Sequence, residues 1–102
     1  MVSFKIEHRT SVEKDIQKIP HKLLQKIIER TDHLSNNPYP SDCKKISGKY
    51  PYYRIRVNDY RIIYQVIEQK KLIIIERIRH RKIAKMSIKD FEKFSLNTLF
   101  IE

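Results

Sequence analysis

Tyr53-Arg54-Ile55-Arg56-Val57-Asn58-Asp59-Tyr60-Arg61-Ile62-Ile63-Tyr64 reads as two strands folded about Asn58-Asp59, two residues that tolerate a left-handed turn conformation. With a two-residue loop, Val57 faces Tyr60, Arg56 faces Arg61 and Ile55 faces Ile62. Side chains alternate along a strand, so Ile55, Val57, Tyr60 and Ile62 share one face while Arg54, Arg56 and Arg61 share the other. Like charges set opposite one another weaken a sheet. Their presence implies a surface prepared for an anion from outside the chain, and a phosphodiester is the leading candidate.

Upstream of this hairpin, Phe4 and Ile6 alternate with Lys5 and Glu7 as a short first strand. Thr10-Ser11-Val12-Glu13 has the form of a capping box, opening a helix that buries Val12, Ile16 and Ile19 and stops near Pro20. A second helix places Leu23, Leu24, Ile27, Ile28, Thr31 and Leu34 on one apolar stripe. Asn36-Asn37-Pro38-Tyr39-Pro40 ends it. Residues 41–49 are polar and loop-like, with Lys44, Lys45 and Lys49. Three strands then span about 52–57, 60–67 and 72–78, their β-branched and aromatic content fitting a sheet. A basic cluster of Arg77, Arg79, His80, Arg81, Lys82 and Lys85 closes the last of them. Ser87-Ile88-Lys89-Asp90 is a second capping-box pattern, with Ile88, Phe91 and Phe94 at helical spacing.

The sum is an α+β domain of order β-α-α-β-β-β. Two N-terminal helices pack on one face of a mostly antiparallel four-stranded sheet, followed by a short C-terminal helix. Residues 1–85 form the domain and 86–102 an extension expected to pack on it.

Composition narrows the partners. The 102 residues hold 22 Lys+Arg against 12 Asp+Glu, a formal +10, which favours nucleic acid, ribosome or an acidic protein over a small-molecule substrate. Hydrophobic content of 40% suits one globular core. No apolar run nears the roughly 20 residues needed to cross a bilayer, and the N-terminus lacks a secretory pattern, so a cytoplasmic protein without membrane contact is expected. Cys43 is the one cysteine, which excludes an internal disulfide and a cysteine-based zinc site. Gly48 is the one glycine, which excludes a glycine-rich phosphate loop. No metal or other cofactor is expected.

The element order, the Lys45-Ile46-Ser47-Gly48 segment, the hairpin and Ile78-Arg79-His80-Arg81 together resemble the RelE/ParE superfamily of toxins from toxin–antitoxin pairs. The resemblance spans residues 4–85. It implies a toxin held inactive by a cognate antitoxin. In the RNA-cleaving members, the activity is mRNA cleavage in the ribosomal decoding site through attack of a ribose 2′-hydroxyl on the adjacent phosphate. Arg54 and Arg56 match the family's basic pair on the first hairpin strand, Arg61 the basic residue on its partner, and Arg81 the one after the last strand. His80 stands where relatives often have histidine. Lys85 occupies the place of a tyrosine found in several RNA-cleaving members, and Asn58 stands where many have glycine.

In that chemistry Arg56, Arg61 and Arg81 grip the phosphate, and His80 is the candidate acid or base near neutrality. Arg54, Lys44, Lys45, Lys49, Arg79 and Lys85 attract the RNA backbone. Tyr52 is the candidate for stacking on a base, whereas Tyr60 and Tyr64 fall on the apolar face and read as core. Plainer roles exist for each: Arg61 paired with Asp59 or a helix carboxylate, His80 closing a strand, Arg54 and Arg56 on an ordinary solvent face. Two other functions compete, a ParE-like DNA gyrase inhibitor without nuclease activity and an inactivated toxin kept as a binding module.

Overall fold

The computed structural model describes residues 3–46 and 48–80. Its elements are β1 (Lys5–His8), α1 (Thr10–Gln17), α2 (His21–Leu34), β2 (Lys44–Lys45), β3 (Tyr52–Val57), β4 (Tyr60–Ile67), a 3-10 turn (Glu68–Lys70) and β5 (Leu72–His80). The five strands form one sheet in the order β1-β5-β4-β3-β2. Neighbouring strands from β2 to β5 pair antiparallel, and β1 pairs parallel with β5.

The sheet has one strand more than the sequence suggests. The extra strand is β2, which pairs Lys44 with Arg54 and Lys45 with Tyr53. Two polar residues carry no hydrophobic alternation, so nothing local marks them as a strand. The central hairpin has the expected register, with Val57 opposite Tyr60, Arg56 opposite Arg61 and Ile55 opposite Ile62. Asn58 adopts the positive φ of the turn, 53°, a conformation its short amide tolerates.

Both helices lie on one face. Val12, Ile19, Ile27 and Leu34 meet Ile55, Ile62, Tyr64, Val66, Ile73, Ile75 and Ile78 in the main core. Each fully buried aliphatic side chain contributes about 1.5–3 kcal/mol. The apolar stripe of α2 is narrower than its spacing implies, because Ile28 is 50% exposed. Ser35 fastens the end of α2 to the start of β1: its Oγ donates to the Phe4 carbonyl (2.8 Å), and its own carbonyl accepts from the Phe4 amide (2.9 Å).

The start of α1 is not the expected capping box. Thr10 is already helical, Arg9 is the cap residue, and no side chain caps the helix. Tertiary contacts fix this end instead. The Arg9 Nε lies 3.4 Å from both carboxylate oxygens of Glu76, and Ser11 Oγ donates to the Glu76 carbonyl at 3.3 Å. Further along, Asp15 closes the edge of β5 beyond β1. Its carboxylate accepts from the Ile78 amide (3.0 Å) and from Arg77 Nε and Nη2 (3.1 and 3.0 Å). A helix carboxylate thus occupies an otherwise open strand edge.

A second, smaller apolar cluster lies on the opposite side of the sheet, where Tyr52 and Ile63 pack with Ile46 and Tyr50. No helix among the described residues is long and apolar enough to cross a membrane. The basic residues Arg81 and Lys85, the Ser87–Asp90 pattern and the whole 86–102 extension lie outside the described residues.

Candidate nucleic-acid interface

The strand registers arrange the basic side chains of the outer face in two parallel rows. In the first, Arg56 on β3 is directly opposite Arg61 on β4, which is directly opposite Arg79 on β5. In the second, two residues along β3, Arg54 is opposite Lys44 on one side and Ile63 on the other. Strands lie about 4.8 Å apart, so three guanidinium-bearing residues fall within about 10 Å across the sheet. Such repulsion is tolerated because the row is open to solvent at its β3 end, where Arg56 is exposed.

Arg79 enters this row through an irregularity. The β4–β5 ladder pairs Tyr64 with Ile75 and then Ile63 with Arg77, passing over Glu76. That bulge advances β5 by one residue, so Arg79 rather than Ile78 faces Arg61. Glu76 is 3% exposed and sits against Arg9. Burial, and after it the charge of Arg77, lower the Arg79 guanidinium pKa from its ordinary value, while Asp15 opposes the shift. An arginine remains charged nonetheless.

A cleft of about 500 Å³ lies over the second row and the β3–β4 part of the first, lined by Asp42, Lys44, Arg54, Ile55, Arg56, Asn58 and Arg61 but not by Arg79. Asp42 is ion-paired with Arg30, which neutralises the carboxylate at the rim. The Arg56 Nε donates to the Asn58 carbonyl at 3.0 Å and draws that guanidinium toward the hairpin tip. Among the described residues, Arg54, Arg56 and Arg79 make no ion pair. Arg77 is committed to Asp15.

Several expected contributors stand elsewhere. His80 is opposite Tyr60, on the helix-covered side of the sheet, with the two rings edge to face at 5.3 Å. It is not beside Arg56 and Arg61. Tyr52 is 1% exposed, so its ring offers no face to a base; packing with Ile63 has taken the surface that stacking needs. Lys45, opposite the core-packed Tyr53, points away from the arginine rows. Lys49 lies over the Tyr50 ring, 5.6 Å from its centroid. Tyr64 is wholly buried, its hydroxyl donating to the Pro38 carbonyl at 2.8 Å.

This face can hold a phosphate by charge-assisted, forked hydrogen bonds and can stabilise negative charge that grows on it. His80, the expected acid or base, is not part of this face.

Comparison with known proteins fits this geometry. Residues 6–84 match the family model of the ParE toxin of type II toxin-antitoxin system, parDE. The toxin RelE3 of Methanocaldococcus jannaschii is 40% identical over 73 residues, covering 68% of this chain and 81% of that one. The fold is similar to that in the archaeal RelE–RelB complex from Pyrococcus horikoshii OT3, with a TM-score of 0.68, 27% identity, and coverage of 78% of this chain and 96% of that one. It is also similar to that in the RelB–RelE antitoxin–toxin complex from Methanococcus jannaschii, with a TM-score of 0.65, 31% identity, and coverage of 76% and 93%.

Proposed function

This chain belongs to the RelE/ParE superfamily of toxins from toxin–antitoxin systems, and from that membership we propose that it is a ribosome-dependent endoribonuclease. The observation that carries the reading is the Arg56–Arg61–Arg79 row, three cations at facing register positions on one sheet face. In the reaction, a ribose 2′-oxygen attacks the neighbouring phosphorus while the bond to the 5′-oxygen breaks. The guanidinium groups hold the non-bridging oxygens and stabilise the charge that accumulates there. Arg81 joins them by its match to the family's basic position after the last strand.

The 2′-hydroxyl must lose a proton and the departing 5′-oxygen must gain one. Arginine is a poor base, and His80 faces the helices. The proton transfers therefore fall to substrate geometry and to groups of the ribosome, which is why the activity depends on it. mRNA and ribosome are the working partners, in the cytoplasm. The inactivating partner is an antitoxin, in keeping with the RelE–RelB pairing of the similar structures. An acidic segment of it laid over the arginine rows would neutralise the face and block the site.

Because the matched family model is that of a ParE toxin, gyrase inhibition is the second reading. Induced expression followed by mapping of mRNA 5′ ends separates the two. New ends inside codons support the nuclease. Intact mRNA together with linear, gyrase-bound DNA supports the inhibitor and overturns the proposal.

A further inference from the structure

Resting on the nuclease reading, we infer that the cleft takes two successive phosphates of an RNA strand laid along β3. The first sits on Arg56 and Arg61, the second on Arg54 and Lys44.

The two rows lie on one face and are offset by two residues of β3. That offset is about 7 Å, close to the separation of neighbouring phosphates in an extended strand, the geometry of grooves that track a nucleic-acid backbone. The two rows thus offer two anchoring points at the spacing of neighbouring phosphates. The Arg56 guanidinium is drawn toward Asn58, away from Arg54, which widens the gap between the two anchoring points. The same cleft is lined by members of both rows, so a continuous strand can run between them. Its rim carboxylate, Asp42, is ion-paired with Arg30. Tyr52 is buried and offers no base platform beside the rows. The cleft therefore recognises the backbone and leaves base choice to whatever presents the RNA.

The test uses the full chain and uncleavable 2′-O-methyl RNA of two, three and four nucleotides with hydroxyl ends, carrying one, two and three phosphates. Affinity is read by NMR titration. Going from one phosphate to two should tighten binding about tenfold, the effect of added charge-assisted bonds. A third phosphate should add less than about twofold. In the Lys44→Gln/Arg54→Gln double variant the first gain should vanish while binding of the two-nucleotide RNA persists. In Arg61→Gln the two-nucleotide RNA should bind more weakly while the gain survives. An equal gain at every added phosphate, or an undiminished gain in the double variant, would overturn the inference. Because the ligands cannot be cut, this outcome is independent of mRNA cleavage. A chain that shows the step but leaves mRNA intact would refute the nuclease alone.

Discussion

Arg61 faces Arg79 across the β4–β5 ladder because the pairing passes over Glu76. A single inserted residue thus decides whether β5 presents a cation or Ile78 to the outer face. The Arg9 guanidinium, brought alongside by the turn between β1 and α1, holds the inserted carboxylate. The charged pair is buried, so its attraction is largely offset by the desolvation of both groups.

Removing the carboxylate should expose that dependence. Glu76→Ala leaves Arg9 facing a void and is expected to cost about 3 kcal/mol, the usual effect of breaking a buried pair. Equilibrium urea denaturation measures it. Amide exchange should show the β4–β5 ladder loosening near Ile63 and Arg77. An unchanged urea midpoint would mean that the bulge stands without its pair.

The arginine row should carry a stability penalty. Arg56→Gln removes one of two like charges placed directly opposite each other. It is expected to leave stability unchanged or raise it by roughly 0.2–1 kcal/mol, the range for such cross-strand pairs. The same substitution should reduce cleavage. A variant that lost stability as well as activity would show that Arg56 is structural.

His80→Asn should behave oppositely. Its ring meets Tyr60 edge to face on the helix side, so its loss should lower stability by about 0.5–1.5 kcal/mol. Single-turnover cleavage should stay within about threefold, since proton transfer by a catalytic side chain is worth at least about a hundredfold. A hundredfold drop in rate without unfolding would restore His80 to the chemistry.

Alkaline pH should weaken the fold through Tyr64. Burial first, and then Cys43, raise its pKa above the ordinary 10.0. Its contribution is therefore whole below pH 10.0 and falls as pH climbs beyond, because the unfolded phenol ionises before the folded one. Tyr64→Phe should lose about 1 kcal/mol at neutral pH with the bond to the Pro38 carbonyl. It should also flatten the decline above pH 10.0 relative to the parent chain. Thermal melts at stepped pH supply the comparison.

The central hairpin was legible because a tight Asn58-Asp59 turn and strict alternation settle its register locally. The helix positions followed from the spacing of Val12, Ile19, Ile27 and Leu34 and from Pro20 between them. What escaped the sequence depends on distant segments. Lys44–Lys45 becomes a strand because β3 offers an edge, and Thr10 is not a cap because Arg9 and Ser11 are held by Glu76 across the fold. Tyr52 is hidden because Ile46 and Tyr50 fold over the outer face. At the candidate site, the Arg56–Arg61 pairing could be read from the turn. The place of Arg79 could not, since an unbulged ladder would set Ile78 in its stead. The alternation that placed Arg56 and Arg61 together also puts His80 on the far side, once the register of β5 is known.

Single-turnover cleavage on purified ribosomes carrying a defined mRNA, with the parent chain beside Arg56→Gln and Arg61→Gln, decides whether the arginine face cuts RNA. The parent should cut the decoding-site codon. Each variant should stay folded and ribosome-bound yet lose at least about a hundredfold in rate, as when a preorganised donor to a charged transition state is removed. Undiminished cutting by either variant, or no cutting by the parent, would contradict a cutting role for that face.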